Sequence, residues 1–371
     1  MENSAGDKQA LMAACMWAVV VMCLFVPVAT LAETGGSTQS QPDAAGLAGQ
    51  SASPLYGRNG EKTSNSFQTK PETSSRKQIG RIMIPASGDN AAYIAFDQGQ
   101  YLTARRIAEQ RAKQNDPQAH TLLGRIYAEG LGVPRNELTA AQWYRKGAEL
   151  GDTEAMFALG VILASGKDVE KSSEDAAQMF EQAARKGHAF AHYNLAQMFL
   201  SGDGKPENPF RASQHLEYAA RNGISEAQYD LATLYQRGHG VAADAYKAAY
   251  WLRQAADKGL PAAQFEYAVA LLRGHGLNQD KPKIVDYLTA AANAGVAGAQ
   301  NRLAHVYHNG IPGTVRSPLL AAKWHWLANQ NGIKDDALDA TIAKYPKDIL
   351  REAEISARAQ QAQALLGVQA Q

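Results

Sequence analysis

The chain has 371 residues, 45% of them hydrophobic, with 37 Lys and Arg against 36 Asp and Glu. Charges that nearly cancel exclude the basic footprint of a nucleic-acid or anionic-lipid binder. Both cysteines, Cys15 and Cys23, lie in one apolar segment near the start, so disulfides and thiol chemistry are excluded from the rest of the chain.

In chain order, Ala10 to Ala29 is nearly continuous apolar sequence, and Thr30-Leu31-Ala32 offers small residues where a signal peptidase reads. Residues 1–32 are therefore expected to be an export signal, placing the mature chain in the periplasm or outside the cell. The alternative is an uncleaved inner-membrane anchor with the rest facing the periplasm, since about 20 apolar residues also span a bilayer. Glu2 and Asp7 offset the positive charge usual in a signal and keep that alternative open. Any membrane contact is expected through this segment alone. A lipoprotein signal ending at Cys15 would leave almost no apolar run ahead of the cysteine.

Residues 33–88, dense in Ser, Gly, Thr, Gln, Pro and Asn, read as a disordered linker without apolar period. Its one apolar cluster, Ile79 with Ile82-Met83-Ile84, reads as the sticky end of a tether. Ser74-Ser75-Arg76-Lys77 has the Ser-x-x-Lys spacing of penicillin-recognising enzymes, but no Ser-Asp-Asn or Lys-Thr-Gly accompanies it.

From there a tandem array sets in. Gly151, Gly187, Gly223, Gly259 and Gly295 are each 36 residues apart, and Gly332 follows after 37. A short helix pair is expected over 89–116, then six units at 117–152, 153–188, 189–224, 225–260, 261–296 and 297–333. Residues 334–371 are expected to form a polar helix pair capping the open end. Asp116-Pro117, Asp152-Thr153-Glu154, Ser225-Glu226 and Pro261 read as helix starts, and Lys186-Gly187, Asn222-Gly223 and Lys258-Gly259 as helix ends.

Each unit reads as helix A, turn and helix B. Helix A carries Ala, then Leu beside Gly or Ala, then a large residue, as in Ala119, Leu123-Gly124 and Tyr127. The spacing puts these on one face, and the small residue permits close approach of a second helix. Helix B repeats a large residue at Trp143, Met179, His215, Trp251, Tyr287 and Trp324, expected in the core.

Ala-x-x-x-Leu-Gly/Ala-x-x-Tyr-x-x-Gly-x-Gly-Val followed by Ala-x-x-Trp/Tyr-x-x-x-Ala-Ala-x-x-Gly resembles the Sel1-like subclass of tetratricopeptide repeats over about Pro117 to Ile333. The pair at 89–116, with Ala95, Gly99, Tyr101 and Ala104, resembles a plain tetratricopeptide unit. Unit two lacks the Gly-x-Gly turn, unit three lacks the valine after it, and unit six has one extra residue near Ile311-Pro312-Gly313. The resemblance implies an all-α, α/α superhelical solenoid. It also implies a non-enzymatic adaptor that binds other proteins, and for exported members a part in envelope signalling or exopolysaccharide regulation through an envelope or sensor protein. A weak peptidoglycan-directed or penicillin-binding hydrolase is the alternative, suggested by cysteine-rich relatives whose repeat disulfides this chain cannot make.

In such stacks the A helices line the concave side, and positions two before, two after and five after the Leu face inward. Two before gives Thr121, Phe157, Tyr193, Tyr229, Phe265 and Asn301; two after gives Arg125, Val161, Gln197, Thr233, Val269 and His305; five after gives Ala128, Ala164, Leu200, Gln236, Leu272 and His308. Of these, Phe157, Tyr193, Tyr229, Phe265, Arg125, Val161, Gln197, Thr233, Val269, Leu200 and Leu272 are the expected partner contacts, a groove suited to a peptide segment. Packing of the aromatic column between A helices is the competing reading. His305 and His308, at i and i+3, with His325 on the partner helix, could hold a metal only without a cysteine or placed carboxylate, so no metal, cofactor or catalytic group is expected. His239 and His275 read as solvated turn residues.

Overall fold

Helices account for nearly all the regular structure because each segment that can bury an apolar stripe is bracketed by its own stop signals. In the computed structural model, which describes residues 90–274, 281–311 and 314–369, the described residues form sixteen helices and no strand. A short pair, α1 (Ala91–Asp97) and α2 (Tyr101–Ala112), precedes the repeats. The six units are α3 (Pro117–Glu129) with α4 (Glu137–Glu149), α5 (Thr153–Ser165) with α6 (Ser173–Arg185), α7 (Ala189–Ser201) with α8 (Pro209–Arg221), α9 (Ser225–Arg237) with α10 (Ala245–Asp257), α11 (Pro261–Arg273) with α12 (Lys281–Asn293), and α13 (Ala297–Asn309) with α14 (Pro318–Gln330). Then come α15 (Asp336–Ile342) and α16 (Lys347–Gln369), the latter packed on α14. The expected signal, linker, apolar tether end and Ser-x-x-Lys spacing lie outside the described residues. Among the described residues no helix is long and apolar enough to cross a membrane.

The ends of the helices follow from local chemistry. Asn136, Ser172, Asn208, Asp244 and Ser317 each accept, through the side chain, a backbone N–H at the start of a B helix. Asp116 and Asp152 do so for α3 and α5, and His188 Nδ1 accepts from Ala191 N for α7. From unit four onward the cap is apolar, with Pro261 the first residue of α11 as expected. Ser225 is the first residue inside α9, and the capping position belongs to Ile224, then Leu260 and Val296, none of which makes a side-chain cap bond. Ile224 is buried, so an apolar plug replaces a polar cap there. The A helices end on left-handed glycines from Gly130 through Gly274, but Gly310 has ψ 150, and the chain leaves α13 by a different path where the extra residue sits.

The core runs between helices along the array. In every A helix the third residue, from Ala119 to Ala299, is buried, as is the seventh, Leu123, Leu159, Leu195, Leu231, Tyr267 and Leu303. The B helices correct the sequence reading. Trp143, Met179, His215, Trp251 and Tyr287 are only half-buried, and Trp324 alone of that column is in the core. The enclosed position is the next one, Tyr144, Phe180, Leu216, Leu252 and Leu288, with His325 in unit six. A B helix that buries its fourth, fifth, eighth and eleventh residues points the seventh to the edge of that stripe.

Candidate partner-binding face

The A-helix side chains outside this core form bonds from one unit to the next. Thr121 Oγ1 donates to Asp152 Oδ1 at 2.8 Å, Gln197 Nε2 to Asp230 Oδ2 at 2.6 Å, and Asn301 Nδ2 to Asp335 Oδ2 at 3.1 Å. His188 lies 3.2 Å from Glu154 and stacks on Phe157 with centroids 4.4 Å apart. The Glu154 carboxyl is held below its ordinary range, first by that hydrogen bond. The A helices of units one to four are thereby linked along the face predicted to bind, and that of unit six is tied to Asp335.

The predicted contact residues divide by exposure. Arg125 is exposed, pairs with Glu129 at 2.8 Å and lies over the Phe96 ring at 4.8 Å. Phe157, Tyr229 and Phe265 are half-buried and pack on the core from outside, so their rings serve both packing and surface. Val161, Gln197, Thr233, Leu200 and Leu272 are also partly open. Tyr193 and Val269, 8% and 9% exposed, are enclosed between A helices.

Charge on the face is uneven. Burial pushes the Asp230 carboxyl up to about 6, against hydrogen bonds from Gln197 and Tyr193, and Glu226 pushes the same way. Burial also raises Glu266, an effect Arg273 opposes. Two clefts open here. One of about 440 Å³ in the first units is walled by Tyr93, Ile94, Asp97, Thr121, Asp152 and Glu154. The other, about 310 Å³, lies between α11 and α13 and is lined by Val269, Leu272, Arg273, Arg302, His305, Val306, Asn309, Gly310 and Ile311. It thus joins residues from two of the predicted columns.

The three histidines considered for a metal have separate partners. His305 Nε2 is 2.7 Å from Asp335 Oδ2, His308 Nδ1 is 2.6 Å from Tyr345 Oη, and His325 Nε2 is 2.6 Å from Asp339 Oδ1. All three tie the last unit to the segment that follows it. Among the described residues no group of three His, Cys, Asp or Glu is placed to hold a metal ion. His239 is exposed, and His275 lies outside the described residues.

One set of residues was missed by sequence reasoning. Gln228, Gln264 and Gln300 donate to the carbonyls of Ala220, Ala256 and Ala292 at 2.9, 3.4 and 3.0 Å, and His192 Nε2 reaches Ala184 O at 3.1 Å. Each adds a second bond to a last-turn carbonyl of a B helix that already accepts from the N–H of the closing glycine, Gly187, Gly223, Gly259 or Gly295. The signal was a glutamine recurring every 36 residues between apolar positions.

Helix pairs stacked every 36 residues, with side-chain bonds joining the A helices of units one to four, define an α/α solenoid of the kind that recognises other macromolecules. The chain belongs to the Sel1 repeat family, which it matches at residues 117–152, 153–188, 189–224, 225–260, 261–296 and 297–332. Sel1 repeat proteins are in general scaffolds for protein–protein interaction. A solved Sel1 repeat protein from Oxalobacter formigenes is similar at 28% identity and TM-score 0.57, over 67% of this chain and 100% of that one. A protective antigen of uropathogenic Escherichia coli shares the fold at 24% identity and TM-score 0.64, over 73% of this chain. This chain spans 60% of that antigen. No curated protein matches the chain.

Proposed function

We propose that the protein is a non-enzymatic adaptor of the bacterial cell envelope that captures a segment of an envelope or sensor protein on its A-helix face. The observation that carries the reading is the cleft between units five and six, where Val269 and Leu272 of one A helix and His305 of the next line a single hollow. A groove with apolar walls and polar edges suits an extended or helical peptide. Placement outside the cytoplasm rests on the apolar run of residues 10–29 and the small residues that follow it.

The test is crosslinking in the cell from a photoreactive residue at position 229, followed by identification of the adduct. A single dominant envelope protein supports the reading. A folded protein that yields no adduct from position 229, 200 or 272 sinks the claim that this face makes the contact.

A further inference from the structure

The two clefts of the A-helix face carry opposite charge. Among the described residues the first is lined by Asp97, Asp152 and Glu154 with no Lys, Arg or His, and the second by Arg273, Arg302 and the Asp335-bonded His305 with no carboxylate in its wall. Arg273 ends α11, and Arg302 stands on α13, the next A helix. Both residues are exposed, and neither makes an ion pair or side-chain hydrogen bond with a described residue, although Arg273 is near enough to Glu266 to oppose the rise of its carboxyl. Elsewhere on the surface Arg125, Arg221, Arg253 and Arg358 are each matched by an acid four residues away on their own helix. His305 is already committed to Asp335, which fixes its ring at the cleft wall. The remaining wall is aliphatic: Val269, Leu272, Val306 and Ile311.

Two planar cations with no ion pair among the described residues, over an aliphatic wall, select a ligand with a carboxylate next to a branched alkyl group, because a guanidinium binds carboxylate through two parallel N–H donors. We propose that this cleft receives an acidic, aliphatic stretch of the partner polypeptide. Arg273 and Arg302 grip a Glu or Asp carboxylate, and Leu272 with Ile311 holds a neighbouring Leu, Ile or Val side chain. The acidic cleft in the first units repels that stretch, so a partner lying along the face has its acidic end at units five and six. The proposal rests on the adaptor reading and specifies the chemistry of its partner.

The test titrates the full chain into fluorescein-labelled Gly-Leu-Glu-Leu-Glu-Leu and into the same peptide with Gln or Lys for Glu, followed by anisotropy. The acidic peptide is expected to saturate below about 1 mM, a weak affinity suited to a single subsite. The Arg273→Gln/Arg302→Gln variant, with both changes at exposed positions, is expected to keep its helix content and bind at least about tenfold more weakly. Arg145→Gln, at an exposed position of α4 outside both clefts, leaves the affinity unchanged. Equal affinity for the Glu and Gln peptides, wild-type affinity in the double variant, or no saturation by the folded chain each overturns the proposal. Crosslinking of a partner from position 229 without binding of the acidic peptide retains the adaptor and removes the charge preference. Peptide binding without any crosslinked partner does the reverse.

Discussion

Phe180 lies directly over Gly160, so that a Cβ built at residue 160 would stand 2.7 Å from the ring's Cε1. Gly124 and Tyr144 repeat the relationship in unit one, at 2.6 Å. In units three to five the A helix carries Ala at this position, Ala196, Ala232 or Ala268, and the enclosed B-helix residue is a leucine, Leu216, Leu252 or Leu288; in unit six Ala304 goes with His325. Volume is thus conserved between two helices while its division changes from unit to unit.

Gly160→Ala is accordingly expected to cost about 1–3 kcal/mol, because the ring has no free space to enter. Phe180→Leu alone leaves a cavity and costs about 1–2 kcal/mol. The double variant reproduces the Ala–Leu pairing of units three to five and should cost less than the sum, with a coupling of about 1 kcal/mol. Chemical denaturation of the four proteins measures it; strict additivity would show that the two residues do not share space.

Gly240 tests close approach of a different kind. It has φ 73, and a Cβ there would collide with the carbonyl of Pro209 at the start of the previous unit's B helix. Gly259 has φ 86 but nothing within 4 Å of its Cβ position. Gly259→Ala is expected to cost about 1–2 kcal/mol for the left-handed conformation alone, and Gly240→Ala distinctly more, since backbone must move. Melting temperatures of the two variants compare them, and equal shifts would mean that the turn gives way freely.

The aromatic column supplies the third prediction. Phe157 touches Phe180 at 5.9 Å between centroids and stacks on His188, and a Cβ at Gly298 would come 2.9 Å from the Phe265 ring. A column that served only as a groove would let Phe157→Ala, Tyr193→Ala and Tyr229→Ala together spare stability. With Tyr193 enclosed and Phe157 and Tyr229 packed on the core, that triple variant is expected to lose several kcal/mol, roughly 2–3 for each ring. Truncations that test partner binding on this face therefore belong at Leu200, Gln236 or Arg302, which melts should show to be nearly neutral, whereas position 229 suits a photoreactive residue that keeps an aromatic ring.

The periodicity made the array legible because a glycine that ends a helix is needed once per unit and its conformation tolerates little else. Facing was harder to read. A repeat period relates equivalent positions in successive units, whichever way they face, and does not say which of Trp143 or Tyr144 points inward. The tryptophan drew attention by its size, and the buried neighbour was decided by the stripe of alanines around it. The glutamines at 228, 264 and 300 were passed over because a polar residue in a helix reads as exposed, whereas these amides complete a neighbouring helix end. The partners of His305, His308 and His325 lie beyond the last repeat, where no period relates Asp335, Asp339 and Tyr345 to anything earlier.

Acid dependence separates two buried groups of opposite sign. His215 Nδ1 meets His192 Nδ1 at 2.9 Å, and the bond from His192 Nε2–H to Ala184 O makes His192 Nδ1 the acceptor. Burial first, then His192, lowers His215 from its ordinary 6.5 to about 4, with Glu181 opposing and Arg211 assisting. The unfolded chain then holds a proton that the fold lacks between these values, so this group's contribution is present above about 6.5 and lost as pH falls toward 4. Asp230 behaves inversely. Its carboxyl, raised from 3.8 to about 6, keeps a proton in the fold that the unfolded chain has released, so its contribution is present below 3.8 and lost as pH rises through about 6. In the wild type the two slopes oppose each other between pH 4 and 6. His215→Met, which installs the residue that unit two has at Met179, should leave stability falling with rising pH across that window. Asp230→Asn should leave it rising, each change being on the order of 1 kcal/mol because both side chains keep some solvent. Stability measured at closely spaced pH values decides it, and variants whose slopes match the wild type would show that neither group is held as the structure has it.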